Sequence, residues 1–204
     1  MIRGSRHYNL EYNSGQAEQP ALGEMINGQG LGAVSRLRYG ICRMSFNGCE
    51  VIAVHNALVH LGEPQPLKDI AFFMERFRVL LGFFGCNVYR VGRALEHYGV
   101  AYERTKDVGD AEAFIVSFWT KLPLLSPIHT VFCVRTLDGI EVYNRYNNFS
   151  SMSVCKSMQD VAGRHRPLAV YRLKEQESPC PGFLDAACSA TELGTLDLAA
   201  DRLG

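Results

Sequence analysis

The stretch NGCEVIAVHNALVHLGEP at residues 47–64 reads as one helix with both of its ends marked. Val51, Ile52, Val54, Leu58 and Leu61 repeat at helical spacing and form a broad apolar face. Asn47 is a start signal and Gly62 a stop signal, and Pro64 and Pro66 follow in a turn. Cys49 falls in the first turn, where unpaired N–H groups and a partial positive charge favour a thiolate. For a single cysteine, a buried structural thiol is the commoner outcome. Its neighbours therefore decide what it does.

The flanking segments set the fold class. Leu67–Leu81 carries Ile70, Phe73, Met74, Phe77 and Leu81 on one face and predicts a second helix. GFFGCN at 82–87 breaks the pattern, as an interhelix connection or as one wall of a cleft. It lacks the Gly-Lys-Ser or Gly-Lys-Thr of a phosphate loop. Val88–Tyr98 predicts a third helix, and Val100–Glu103 a short strand. Beyond it the period changes to two. Ala113–Thr120, His129–Arg135, Ile140–Asn144 and Pro167–Leu173 read as strands, and Ser153–Gly163 as a helix. Asp138-Gly139 between two β-rich runs marks a hairpin. Helices first and an antiparallel sheet second predict an α+β fold.

The charge balance divides the chain of 204 residues. It has 21 basic and 21 acidic residues overall, which argues against nucleic acid as a partner. Residues 174–204 carry two basic and six acidic groups, so 175–204 reads as an acidic tail with a short helix near 183–190. Residues 1–35 hold few bulky apolar groups and read as a flexible N-terminal arm. That leaves 36–174 as the compact domain. No run of 18 apolar residues predicts membrane insertion, and the N-terminus lacks a secretory core, so the cytoplasm is the expected location. The seven cysteines, odd in number and irregular in spacing, suit free thiols. Cys42, Cys49, His55 and His60 lack matched ligand pairs, so neither a metal nor another cofactor is expected.

A nucleophilic thiol needs a base, and the base an orienting group. His55 is six positions from Cys49, about 120° away around the helix, and His60 lies roughly 16 Å along the axis. The base must come from elsewhere. His129 opens a strand, and Asn144 ends the next. In a hairpin pivoting near 137–138, positions summing to about 273–275 face each other, which makes the two residues near cross-strand neighbours. The Asn144 side-chain carbonyl could then fix the imidazole tautomer. Asn147 and Asn148 are the fallback orienters should the register slip.

Cys, His and Asn in this order, in NGCEVIAVHNALVHLGEP and HTVFCVRTLDGIEVYNRYNN at 129–148, resemble the papain-like cysteine peptidases. The bacterial branch related to double-glycine leader peptidases is the nearest likeness. The resemblance covers about residues 40–173. It implies a nucleophile on the central helix, with Cys49 as nucleophile, His129 as base and Asn144 as orienter. The implied activity is that of a cysteine hydrolase, first of all a peptidase acting on a peptide or protein substrate through a thioester. Such enzymes carry an oxyanion-hole Gln about six residues before the Cys, where this chain has Arg43. Asn47 or the backbone N–H of Cys49 would have to donate instead. The alternatives are an inactive peptide-binding module of the same fold and an acyltransferase.

Overall fold

A computed structural model describes residues 4–123, 126–164 and 166–174. The expected acidic tail lies outside the described residues. The elements in chain order are α1 (Arg6–Ser14), β1 (Arg38–Tyr39), β2 (Cys42–Arg43), the single turn α2 (Met44–Asn47), α3 (Cys49–His60), α4 (Leu67–Met74) and α5 (Val91–His97). There follow β3 (Tyr102–Thr105), β4 (Ala113–Trp119), β5 (Ile128–Thr136), β6 (Gly139–Tyr143), β7 (Ser153–Cys155), α6 (Met158–Ala162) and β8 (Ala169–Leu173). The fold is α+β, with a six-stranded sheet of order β3-β8-β4-β5-β6-β7 in which every neighbouring pair is antiparallel.

The pleat sorts the sheet into two faces. Ile115, Phe132 and Tyr171 pack under Val51, Ile52, Leu58, Ile70 and Leu95 of the helices. Phe114, Val116, Val131, Cys133 and Val170 lie on the other face, against Val161 and Ala162 of α6. Helix α3 lies between β5 and α4, so Val51, Ile52, Val54, Ala57 and Leu58 are fully covered. Burial of this kind contributes about 1.5–3 kcal/mol for each large aliphatic side chain.

Four expectations change. The second helix stops at Met74 rather than Leu81, because Arg78 is extended and Leu80 and Leu81 adopt positive φ (45° and 58°). That segment instead meets the β1–β2 hairpin through Ile41 N–H to Leu81 O, 3.1 Å. The third helix begins as a 3₁₀ turn, Val88–Arg90, ahead of α5. The helix expected over 153–163 divides into β7 and α6, since Ser157 and Asp160 form a reciprocal capping box that starts the helix anew.

The largest correction concerns the arm. Residues 6–14 form α1 with the buried side chains Asn9 and Asn13, and polar bonds rather than apolar bulk dock the segment. Asn9 Nδ2 donates to Gly40 O (2.7 Å) and Glu75 Oε1 (2.6 Å), and Asn13 Oδ1 accepts from Arg38 N–H (2.7 Å). Further along, Asn56 of α3 exchanges two bonds with the Ile26 backbone, at 2.7 and 2.9 Å. The segment is therefore part of the folded unit that begins before residue 36.

Candidate active site

Cys49 opens α3 as expected and is 6% exposed. Gly48 precedes it because a Cβ there would strike the Met44 side chain, so its role is internal packing. Burial, and behind it the Glu50 carboxylate, push the Cys49 thiol well above its ordinary range. The backbone amides of Thr130 and Glu50 near the sulfur pull the other way. The resting group is thus a neutral thiol, and its hydrogen points to Glu50 Oε2 at 3.4 Å.

Glu50 is a site residue the sequence reading missed. It is 2% exposed, and burial raises its carboxyl from 4.5 to about 7, against hydrogen bonds from its own backbone N–H, the Cys49 thiol and Cys86 N–H. Gly85 leaves room for it, since a Cβ there would come 2.9 Å from Oε2. The available signal was an acidic residue in the first turn of a helix, followed directly by the apolar run Val51–Val54.

Cys49 and Glu50 form part of the wall of a cleft of about 650 Å³. Phe46, Phe83, Phe84, Val88, Trp119 and Ile128 supply its apolar lining. The GFFGCN loop is therefore a cleft wall, the second of the two readings given to it. Phe46, Phe83 and Phe84 are 62%, 49% and 62% exposed, and their rings meet in sequence, tilted at 5.6 Å and edge-on at 5.2 Å.

His129 lies at the start of β5. Cys49 lies beside Thr130 on the helix-facing side of β5, whereas His129 pairs with Phe118 and by strand alternation belongs to the opposite face, with Val131 and Cys133, and is not part of the cleft wall. They are not hydrogen-bonded to each other: the thiol faces Glu50, while His129 Nε2 bonds Asn144 O at 2.7 Å. A carbonyl only accepts, so Nε2 carries the hydrogen and Nδ1 is left as an acceptor. The ring meets Phe118 edge-on, at 6.1 Å. Burial lowers its pKa, and the carbonyls of Asn144 and Arg145 partly restore it.

Two asparagine expectations, for Asn144 and Asn47, are corrected. The hairpin register pairs Phe132 with Tyr143 and Thr136 with Gly139, and β6 ends before Asn144 can face residue 129. Asn144 turns with φ 59°, which presents its backbone carbonyl to the imidazole. Its side chain goes to Gln29 instead: Oδ1 accepts Gln29 N–H (3.0 Å) and Nδ2 donates to Gln29 Oε1 (3.1 Å). The fallback Asn147 holds the same N-terminal segment through its carbonyl, which accepts Gly30 N–H at 2.7 Å. Asn47 is no oxyanion donor, because its amide N–H groups bond Tyr39 O and Gly82 O. Its Oδ1 is buried without a partner, and an acceptor cannot stabilise an oxyanion.

The remaining features bear on partners. Among the described residues Cys42, Cys49, Cys86, Cys133 and Cys155 are free thiols, and no helix is long and apolar enough to cross a membrane. No protein-family model matches the chain, and neither a curated protein nor a solved structure matches it.

Proposed function

We propose that the chain is a papain-like cysteine hydrolase that cleaves an amide bond, first of all a peptide bond. The observation that carries the reading is the placement of Cys49. It sits at the start of a buried helix, on a cleft, beside Thr130, the residue that follows His129. In this reading the His129 ring, which rests against Phe118, has to turn to the sulfur and take the thiol proton as the sulfur attacks the carbonyl carbon. The imidazolium then gives that proton to the leaving amine, and the neutral ring activates water to hydrolyse the thioester. The Asn144 backbone carbonyl serves as the orienting group. Arg43 is exposed and both Asn47 N–H groups are engaged, which leaves the oxyanion to the backbone N–H groups at the α3 N-terminus.

One observation favours a second reading, a non-catalytic peptide-binding module of the same fold. The thiol is held neutral and makes no bond to the imidazole. Substoichiometric iodoacetamide or an epoxide probe, followed by mapping of the modified residue, decides between them. Selective modification of Cys49 that is lost in His129→Ala is expected of the hydrolase. Equal modification of several cysteines, unchanged in that variant, would sink it.

A further inference from the structure

Two buried glutamates in this fold are equally covered, at 2% exposed, and differ in every other respect. Glu75 meets Arg78 Nη1 at 3.1 Å, Asn9 Nδ2 at 2.6 Å and Gly40 N–H at 2.9 Å. Glu50 forms no ion pair with a described residue, and its recorded contacts from the thiol and from Cys86 N–H are long, at 3.4 and 3.5 Å. A carboxylate taken out of water without a counter-ion is unfavourable unless a proton or a cation joins it.

A second observation points the same way. The wall that holds Glu50 is otherwise mainly apolar, with the exposed rings of Phe46, Phe83 and Phe84 on it. The wall near Cys49 therefore offers an acidic acceptor beside an aromatic lining. The complement is a group with several N–H donors and a positive charge, attached to an apolar body. Aromatic faces also attract such a cation.

The distance to the nucleophile selects where that charge sits in the substrate. Glu50 Oε2 is 3.4 Å from the Cys49 sulfur. In an α-amino acyl group the nitrogen is two bonds, about 2.5 Å, from the carbonyl carbon. A carbonyl within reach of the sulfur brings an α-amine within reach of Oε2.

We propose that the cleft takes an acyl group bearing a free, protonated α-amine and an apolar side chain, as at the N-terminus of a peptide, with the ammonium bonded to Glu50. This rests on the reading of Cys49 as the nucleophile, which sets the position of the scissile carbonyl.

Binding is best measured where no reaction intervenes, in the Cys49→Ala chain, by calorimetric titration at pH 7 with phenylalaninamide, its N-acetyl form and 3-phenylpropionamide. Phenylalaninamide is expected to bind at least tenfold more tightly than the other two. Adding Glu50→Gln should bring the three within about twofold. Equal or tighter binding of the acetylated amide overturns the proposal. The same contrast on the unaltered chain, as protection of Cys49 from iodoacetamide, removes dependence on either variant folding: protection by the free amine alone supports the proposal, and equal protection by all three overturns it. The two readings also fail separately. Hydrolysis of the acetylated amide as fast as the free amine refutes the ammonium site and keeps the hydrolase. Selective binding of the free amine without any hydrolysis keeps the ammonium site and refutes the hydrolase.

Discussion

Helix α3 carries buried polar groups at two places, and they are treated oppositely. In its second turn, His55 and Asn56 are 1% and 0% exposed and face the N-terminal segment. His55 sets its two ring nitrogens against Gln65 O and Glu24 O, at 3.3 and 3.1 Å, and Asn56 closes a two-bond pair with Ile26. At its start, Glu50 and the neighbouring Asn47 are as well buried, yet Glu50 lacks a cation and Asn47 Oδ1 lacks a donor. Buried polar groups in stable structure are paired, and the exceptions call for an explanation. The paired end fastens the chain to itself. The unpaired end opens on the cleft beside a thiol.

The contrast can be broken most forcefully at the thiol. Cys49→Ala is expected to reduce amide hydrolysis by roughly 10⁴-fold or more while leaving the unfolding midpoint close to that of the parent chain, as kinetics and denaturant titration would show. Residual hydrolysis near the parent rate would move the chemistry to another residue.

Next in size is the stability cost of Glu50. Its folded-state pKa, about 7, lies above the ordinary 4.5, so between those values the folded chain holds a proton that the unfolded chain releases. Stability therefore falls as pH rises through that window, and the full penalty is present above it. The groups facing Glu50 are Cys49, Cys86 and Tyr39, all pushed up by burial and neutral in that range. Glu50→Gln is expected to add about 3 kcal/mol at pH 8 and almost nothing at pH 4. It should also lower the Cys49 thiol pKa and speed its alkylation, since the carboxylate is the second cause of the rise. A variant with the parent's pH slope would show that the carboxyl is solvated.

At the paired end the same kind of change should act in the other direction. Asn56→Ala leaves the Ile26 N–H and C=O without their bonds and is expected to cost about 2–3 kcal/mol, read from urea unfolding. Alkylation of Cys49 should stay within twofold of the parent rate. The smallest effect belongs to the cleft rim. Phe84→Ala, at a side chain 62% exposed, should alter stability by no more than about 0.5 kcal/mol and weaken binding of phenylalaninamide several-fold. A large loss of stability instead would make the aromatic rim part of the core.

The legible parts share a cause. Helix α3 was readable because Val51, Ile52, Val54 and Leu58 repeat at its own period and Gly62 marks its end. The β5–β6 hairpin was readable because Asp138-Gly139 sits between two alternating runs, and the observed register falls within the expected window. Helix α4 was overextended because its apolar spacing continues past Met74, while the turn is imposed by pairing with the β1–β2 hairpin. The arm looked loose because docking by Asn9, Asn13 and Gln29 leaves no hydrophobic pattern. Order and spacing placed Cys49 at a helix start and His129 on a strand, and both elements are present. The role of Asn144 was misassigned, because side-chain and backbone carbonyls of one residue are indistinguishable in a sequence.

What the sequence determined by itself was local and periodic: the helix that carries Cys49, the strand that carries His129, and the order of helices before sheet. Which buried polar groups would be satisfied was decided only in three dimensions. Glu50 and Glu75 have identical side chains, and one is matched by Arg78 and Asn9 while the other faces a cleft. Pairing of a buried charge depends on which distant segments fold against it, and no one-dimensional pattern encodes that.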